Sequence, residues 1–129
     1  MDIAKILKEL TAEEKASLVA GTNFMDTCTI GRAGIAALRM SDGPHGLRVQ
    51  TEGGDNGVMG SAPATAFPTA ACTACGWDAE NLRRIGRAIA EEARHYGVSV
   101  VLGPGANIKR NPLAGRNFEY FSEDPLLAG

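Results

Sequence analysis

The sequence predicts an α/β fold, and the prediction depends on one helix, the strand after it and a shorter strand earlier in the chain. Residues 78–96 have the periodicity of an amphipathic helix. The run VSVVL at residues 98–102 follows at once and has the apolar character of a strand buried on both faces of a parallel sheet. A short strand is predicted earlier, at residues 37–40. Strand, loop, helix and strand in this order are typical of α/β proteins.

Two further helices are predicted at the start of the chain. Four apolar residues repeat at helical spacing over residues 2–10: Ile3, Ile6, Leu7 and Leu10. Thr11 opens a capping box, TAEE, in which the threonine hydroxyl and the last glutamate satisfy exposed amides at the start of a second helix. We expect this second helix to bury Leu18 and Val19 and to end at Gly21.

The long helix has clear boundaries in the sequence. Asp78 is a natural N-cap, and Gly97 supplies the left-handed residue that commonly ends a helix. The apolar stripe between them comprises Leu82, Ile85, Ile89, Ala93 and Tyr96. Three segments lack a periodic pattern and are predicted to be irregular: residues 22–36, the turn at 41–46 and the glycine-rich loop at 51–65.

Residues 103–125 hold the densest mixture of charged, aromatic and turn-forming residues in the chain. A long loop without regular structure usually carries function or is disordered. Its three aromatic side chains argue against disorder, so we expect the loop to form one wall of a site. Asp124 as an N-cap and Pro125 as the first helical residue predict the start of a new helix. Because a sheet with so few strands would keep open edges, we expect this chain to be the first part of a longer protein.

Length and composition restrict the class of protein. A chain of 129 residues is long enough for one domain, and 44% hydrophobic with 22% charged residues is typical of a soluble globular protein. A net charge of −2 gives no basic surface for nucleic acid or for a membrane. No apolar run reaches the roughly 18 residues of a membrane span. The first residues lack the apolar core of a signal peptide, so a cytoplasmic location is predicted.

The cysteines and glycines do not indicate a cofactor. Cys28, Cys72 and Cys75 are odd in number, which argues against a disulfide framework. The last two form a C-x-x-C pattern, but no second pair of ligands for zinc is present, and small buried thiols are the simpler expectation. The GPG at 103–105 lacks the lysine that follows in a phosphate-binding loop. We therefore predict neither a metal nor a cofactor.

Asp42 is the first candidate for chemistry, because it directly follows the predicted strand at 37–40. The carboxyl ends of parallel strands collect functional groups, and a carboxylate there can accept hydrogen bonds from two neighbouring sugar hydroxyls. The alternative is that Asp42 caps its own Gly-Pro turn. His45, in the same turn, is either a catalytic group or an ordinary turn residue.

Arg116, in the long loop, offers a rigid fork of donors for ring hydroxyls or carboxylates. The alternative is an ion pair with Glu119 or Glu123 that only fixes the loop. Asp42 and Glu119 are also candidates for the two carboxylates of glycoside hydrolysis, although the sequence does not give the distance between them.

Three motifs of this chain resemble, in order and spacing, those of the N-terminal domain of glycoside hydrolase family three, with the character of bacterial β-glucosidases. They are SDGPHGLR at 41–48, GPG with NIKR at 103–110, and GRNFEYFSEDP at 115–125. The resemblance implies that residues 1–129 are the N-terminal, incomplete part of a (β/α)₈ barrel of the TIM type. In the family an α/β sandwich domain follows.

The resemblance also implies roles for individual residues. Asp42 would bind hydroxyls of the sugar in the −1 subsite, Arg116 would contact the same sugar, and Arg48 would lie beside that pocket. Glu119 would be a structural partner rather than the catalytic acid. The nucleophile and the acid/base of the family would lie beyond residue 129. Where the family often carries a tryptophan for the outer sugar, this chain has Phe24 or Met25.

Two hypotheses of different classes follow. The first is an N-terminal fragment of a retaining β-glucosidase that hydrolyses terminal β-D-glucosyl residues, with a β-glucoside or a short β-linked oligosaccharide as its partner and no activity in the 129 residues alone. The second is a stand-alone carbohydrate-binding or regulatory module without hydrolytic activity. An oligomer that covers the open sheet edges is compatible with either.

Overall fold

The computed structural model describes residues 2–51 and 60–129. Contacts divide the chain into two compact units, Met1–Met40 and Ser41–Gly129. Most of the predicted loop at 51–65 lies outside the described residues. The ends of that loop meet, because the Thr51 amide donates to the Gly60 carbonyl at 3.1 Å and Gln50 forms an antiparallel bridge with Ser61.

The first unit begins with two short helices, α1 (Ile3–Glu9) and α2 (Ala12–Ala20). The predicted capping box is present: the Glu14 amide donates to the Thr11 hydroxyl at 3.2 Å, and the Thr11 amide donates to the Glu14 carboxylate at 2.8 Å. Gly21 follows the last residue of α2 at φ 76°. Both predicted helices and their ends are therefore confirmed.

The prediction that α2 buries Leu18 and Val19 is wrong in part. Leu18 is half-buried, whereas Val19 is 88% exposed. Among the described residues of this unit, the buried apolar side chains are Leu10 and Ile30, so two short helices have little core to pack against. Residues 22–36 are irregular, as predicted, with one 3₁₀ turn at Gly31–Ala33. Residues 37–39, predicted as strand, lie outside β1, and Arg39 forms only an isolated antiparallel bridge with Asp26.

The second unit contains a two-stranded sheet of β1 (Met40–Asp42) and β2 (Val100–Leu102), with β1 starting at the boundary between the units. Among the described residues of this unit, three α-helices accompany the sheet: α3 (Ala70–Cys75), α4 (Ala79–His95) and α5 (Pro125–Ala128). The first strand thus begins three residues later than the predicted 37–40 and includes Asp42 as its last residue. The prediction of a mixed α/β fold is confirmed.

Helix α4 matches its prediction closely. The Asp78 carboxylate accepts from the amides of Glu80 and Asn81 at 3.0 and 3.1 Å, and Gly97 adopts φ 68° after the helix. Five buried residues form the core of this unit: Leu47, Val49, Ile89, Ala93 and Val98. Because two of them lie on the predicted apolar stripe of α4, the helix turns that stripe towards the core as the pattern requires.

The prediction that β2 is buried on both faces is wrong for the described chain. Val101 packs against the core, but its neighbour Val100 is exposed and Leu102 is 52% exposed. Successive residues of a strand point to opposite faces, so the helices of this unit cover one face only. The prediction of buried thiols also fails for Cys72 and Cys75, which are exposed on the short helix α3.

Within the two described ranges, no helix combines the length and the apolar character needed to cross a membrane.

Candidate functional site

Asp42 and Arg48 stand opposite each other on a tight turn. Strand β1 ends at Asp42, and the chain then reverses so that the Arg48 amide donates to the Asp42 carbonyl at 3.0 Å in an antiparallel bridge. Gly43, at φ 137°, has no room for a side chain, since a Cβ there would lie 2.3 Å from the Gly46 carbonyl oxygen. The turn therefore fixes the separation of the two charged residues.

The Asp42 carboxylate itself is not used by this turn. In the described part of the chain, no amide of the turn donates to it, so the alternative that Asp42 serves as a cap is wrong. The side chain is exposed at the end of β1. It therefore retains its capacity to accept hydrogen bonds from a ligand.

Arg116 comes from the long loop after β2. A 3₁₀ turn at Asn117–Glu119 and a parallel bridge between Gly105 and Tyr120 bring the loop back beside the end of the strand. The approach is close, because a Cβ on Gly105 would lie 2.4 Å from the Glu119 carbonyl oxygen. The loop is thereby held against the strand end.

Arg116 pairs with Glu119, one of the two partners that the sequence left open. Its Nε donates to Oε1 of Glu119, whose side chain is 13% exposed, whereas the arginine side chain is 75% exposed. No acceptor for the terminal nitrogens of Arg116 is found among the described residues. The pair fixes the loop and also leaves the outer part of the guanidinium accessible.

One cleft of about 470 Å³ brings the three predicted site residues together. Its charged and aromatic lining consists of Asp42, Arg48, Arg116, Glu119, His45 and Phe118. The end of β2 and the following Gly105 complete its wall. Side chains far apart in the sequence therefore face one concavity.

The charges of Asp42 and Arg116 interact across this cleft without forming an ion pair. The pKa of Arg116 lies above its ordinary value, chiefly because Glu119 accepts a hydrogen bond from it; the charges of Glu119 and Tyr120 follow, and that of Asp42 adds a smaller contribution. Among the described residues, however, no ion pair with a nitrogen–oxygen distance of 4.0 Å or less joins Asp42 to Arg116. The space between them is open to a ligand.

The lining is suited to a neutral ligand with several hydroxyl groups. The two carboxylates and two guanidinium groups of the lining balance in formal charge. The Asp42 carboxylate can accept hydrogen bonds from a ligand, and the terminal nitrogens of Arg116 can donate them. Phe118, 52% exposed, adds an apolar surface. In residues 2–51 and 60–129, no group of three or more His, Cys, Asp or Glu side chains is arranged to hold a metal ion.

The sequence indicated Phe118 only as one of three aromatic residues in a loop expected to form a wall of a site, and it missed the packing of His45. Phe118 lies two residues after Arg116, in the 3₁₀ turn that Arg116 precedes, and that proximity was the available signal. His45 accepts a hydrogen bond at Nε2 from the amide of Ala70, a contact over 25 residues for which the sequence carries no local signal.

Comparison with known proteins defines the family. Residues 4–129 match the model of the glycosyl hydrolase family 3 N-terminal domain. The chain belongs to glycosyl hydrolase family 3. The resemblance drawn from the three motifs is thus confirmed, and residues from the first and last of these motifs face each other in the cleft.

Relatives of this family 3 chain are glycosidases. It is 54% identical over 129 residues to the thermostable beta-glucosidase B of Acetivibrio thermocellus, covering 99% of this chain and 17% of that protein. It is 48% identical over 125 residues to an exo-alpha-(1->6)-L-arabinopyranosidase of Bifidobacterium longum, covering 95% and 16% respectively. The chain therefore spans about a sixth of the length of these relatives.

A solved structure of similar fold contains a sugar. The family 3 chain superimposes on the crystal structure of the beta-glucosidase from Kluyveromyces marxianus in complex with glucose with a TM-score of 0.88. The two are 40% identical, and the match covers all of this chain (100%) and 15% of that one.

Proposed function

We propose that this chain supplies part of the −1 sugar subsite of a retaining β-glucosidase that hydrolyses terminal β-D-glucosyl residues. The observation that carries the proposal is that Asp42 and Arg116 line one cleft without pairing with each other. Membership of family 3, the identity to a beta-glucosidase and the likeness to a glucose complex support the choice of sugar.

Each polar group has a role in this proposal. The Asp42 carboxylate accepts hydrogen bonds from two adjacent hydroxyls of the glucosyl ring, and the terminal nitrogens of Arg116 donate to the same ring. Arg48, across the turn from Asp42, lies beside them. These hydrogen bonds strengthen as the ring flattens towards the transition state, and binding of this kind raises the rate rather than the affinity alone.

The covalent chemistry requires carboxylates that the cleft of this chain does not offer. A retaining glycosidase needs a nucleophile and a separate acid/base. Of the two cleft carboxylates, Glu119 is committed to Arg116 and Asp42 is assigned to the sugar. We therefore place the nucleophile and the acid/base elsewhere in the full-length protein and propose that the 129 residues alone do not hydrolyse glucosides.

The fold fits the same proposal. Asp42 ends β1, and Leu102 ends β2, and both residues line the cleft. Active sites of (β/α)₈ barrels lie at the carboxyl ends of the strands. We propose that β1 and β2 are two strands of such a barrel, and that residues 1–129 are one part of its domain.

The test measures hydrolysis of 4-nitrophenyl β-D-glucopyranoside and of the α-L-arabinopyranoside by the full-length protein, with Asp42→Asn and Arg116→Lys beside it. We expect the glucoside to be preferred and both substitutions to reduce kcat/KM in protein that stays folded. Preference for the arabinopyranoside would mean that the substrate carries an arabinopyranosyl residue instead of a glucosyl residue, the sugar named for the Bifidobacterium relative. A folded protein that binds glucose in calorimetry but cleaves neither substrate would instead indicate a carbohydrate-binding module.

A further inference from the structure

His45 occupies the tip of the turn that presents Asp42 and Arg48. Its main-chain carbonyl accepts from the amide of Phe67 at 2.7 Å, and its Nε2 accepts from the amide of Ala70 at 2.8 Å. The turn is therefore attached to the segment at 67–70 by one main-chain and one side-chain hydrogen bond.

The bond to Ala70 satisfies a helix start that lacks its own cap. The first amides of a helix have no partner within the helix, and Thr69, the N-cap residue of α3, makes no side-chain hydrogen bond to them. Ala70 is buried, so water does not replace the missing acceptor. The imidazole of His45 supplies it.

This hydrogen bond also decides against His45 as a general base. A neutral imidazole that accepts at Nε2 carries its proton on Nδ1. Neither ring nitrogen is then available to take a proton from a ligand in the cleft. The catalytic role considered from the sequence is not supported by this arrangement, although His45 lines the cleft.

The same ring touches the loop that carries Arg116. The ring centroids of His45 and Phe118 lie 6.0 Å apart at an interplanar angle of 52°, a tilted contact that aromatic rings favour. Phe118 belongs to the 3₁₀ turn directly after Arg116, and α3 lies against that turn. His45 therefore contacts both the α3 start and the Arg116 loop while it sits between Asp42 and Arg48.

We infer that His45 is a positioning residue: it sets the distance between Asp42 and Arg116 by holding their two supporting segments against one ring. The inference rests on the proposed sugar-binding role of these two residues. It assigns to His45 no contact with the sugar. A displacement of about 1 Å in such a site can cost as much as about 100-fold in rate.

The experiment uses the full-length protein and compares His45→Leu, which removes the acceptor, with His45→Gln, whose Oε1 can replace Nε2. Phe118→Leu removes the ring contact, and His95→Leu, on the exposed end of α4, is the matched control. The measurements are KM and kcat for 4-nitrophenyl β-D-glucopyranoside and the inhibition constant of glucose. For His45→Leu and Phe118→Leu we expect kcat/KM to fall roughly 10- to 100-fold with a weaker glucose inhibition. We expect His95→Leu to stay near the unmodified protein. His45→Gln keeps an acceptor for the Ala70 amide but loses the ring contact with Phe118, so its kcat/KM should lie between those of the unmodified protein and His45→Leu.

Three results overturn the inference. The first is that His45→Leu lowers the apparent kcat but leaves KM and the inhibition constant of glucose unchanged. That result would indicate only a smaller amount of folded enzyme. Another is a defect in His45→Gln as large as in His45→Leu. If His45→Leu does not fold, an unchanged KM in Phe118→Leu decides against the inference as well. Failure of the proposed function is distinct, because Asp42→Asn and Arg116→Lys would then leave glucoside hydrolysis unaffected.

Discussion

Glu119 accepts a hydrogen bond from Nε of Arg116, and this contact determines which part of the guanidinium remains for a ligand. The glutamate is nearly buried and belongs to a 3₁₀ turn held beside the strand end, so it is the fixed member of the pair. Arginine presents five N–H donors in one plane. With Nε engaged, the four donors on the terminal nitrogens keep a defined orientation towards the cleft.

Replacement of Glu119 by alanine should therefore weaken sugar binding, although Glu119 is not expected to contact the sugar itself. We expect Glu119→Ala to raise KM for an aryl glucoside about tenfold, because the freed guanidinium loses its orientation. Glu119→Gln keeps an acceptor for Nε and should have a smaller effect.

Glu123 provides the matched control for this prediction. It was the other candidate partner of Arg116 in the sequence, yet within the described residues it forms no ion pair with it. Glu123→Ala should leave KM unchanged. An equal rise in KM for Glu119→Ala and Glu123→Ala would show that general loss of negative charge, and not the fixed pair, is responsible.

Lysine should not replace arginine at position 116. A lysine has neither the Nε donor that Glu119 holds nor the planar fork. We expect Arg116→Lys to weaken glucose binding about tenfold, the usual effect of one lost charge-assisted hydrogen bond. Calorimetric titration with glucose measures this directly in the full-length protein.

Arg87→Lys is the corresponding control for charge. Arg87 pairs with Glu91 on the exposed surface of α4, outside the cleft. We expect this substitution to leave the glucose dissociation constant unchanged. Retention of full affinity by Arg116→Lys would show that the fork is not used.

The parts of the fold that the sequence predicted correctly are those specified by neighbours in the chain. The capping box at Thr11 and the N-cap of α4 depend on side chains within three residues, and both are present. Exposure of Val19 and Leu102 depends on what packs against them from elsewhere in the fold. Apolar character alone carries no information about that packing.

The candidate site likewise has features that the sequence predicted and features that depend on contacts between distant residues. Asp42 and Arg116 were candidates from their position and chemistry, and the resemblance of their motifs to a family then implied that both contact one sugar; the structure brings them to one cleft. The acceptor role of His45 arises from a contact with Ala70 that no short motif encodes. Likewise, the sequence left two partners open for Arg116, since both glutamates are near it in the chain and only the 3₁₀ turn favours Glu119.

Two glycines should respond oppositely to alanine. A Cβ on Gly105 would lie 2.4 Å from the Glu119 carbonyl oxygen, so Gly105→Ala must push the Arg116 loop away from the strand end. We expect a higher KM for an aryl glucoside and a lower melting temperature. Gly86, within α4, has nothing within 4 Å of its Cβ position.

Gly86→Ala should accordingly raise the free energy of unfolding by about 0.5–1 kcal/mol, because alanine loses less conformational freedom in a helix. Chemical denaturation measures the free energy of unfolding of both variants. A Gly105→Ala protein as stable and as active as the original would show that the loop does not need its close approach to the strand.

The stability of the first unit should depend on two carboxylates with lowered pKa values. The pKa of Glu14 lies below its ordinary value of 4.5, first because Arg32 donates a hydrogen bond to it and then because the Thr11 amide does. The pKa of Asp26 lies below its ordinary value of 3.8, first because of Arg39 and then because of Asn23. Such groups stabilise the folded state fully above their unfolded-state values, and the stabilisation is lost as the pH falls through the folded-state values.

Melting temperature should therefore fall as the pH drops below about 5, and Glu14→Gln or Asp26→Asn should flatten that fall. At neutral pH both variants should already melt lower, because each loses the charge that its arginine partner holds. Glu123→Gln, in the other unit, removes one carboxylate without breaking an ion pair among the described residues and should keep the original slope. If the melting temperature of Glu14→Gln falls as steeply with acid as that of the original protein, the pairing of Glu14 with Arg32 does not stabilise this unit. The reason is that a glutamine side chain takes up no proton in this pH range.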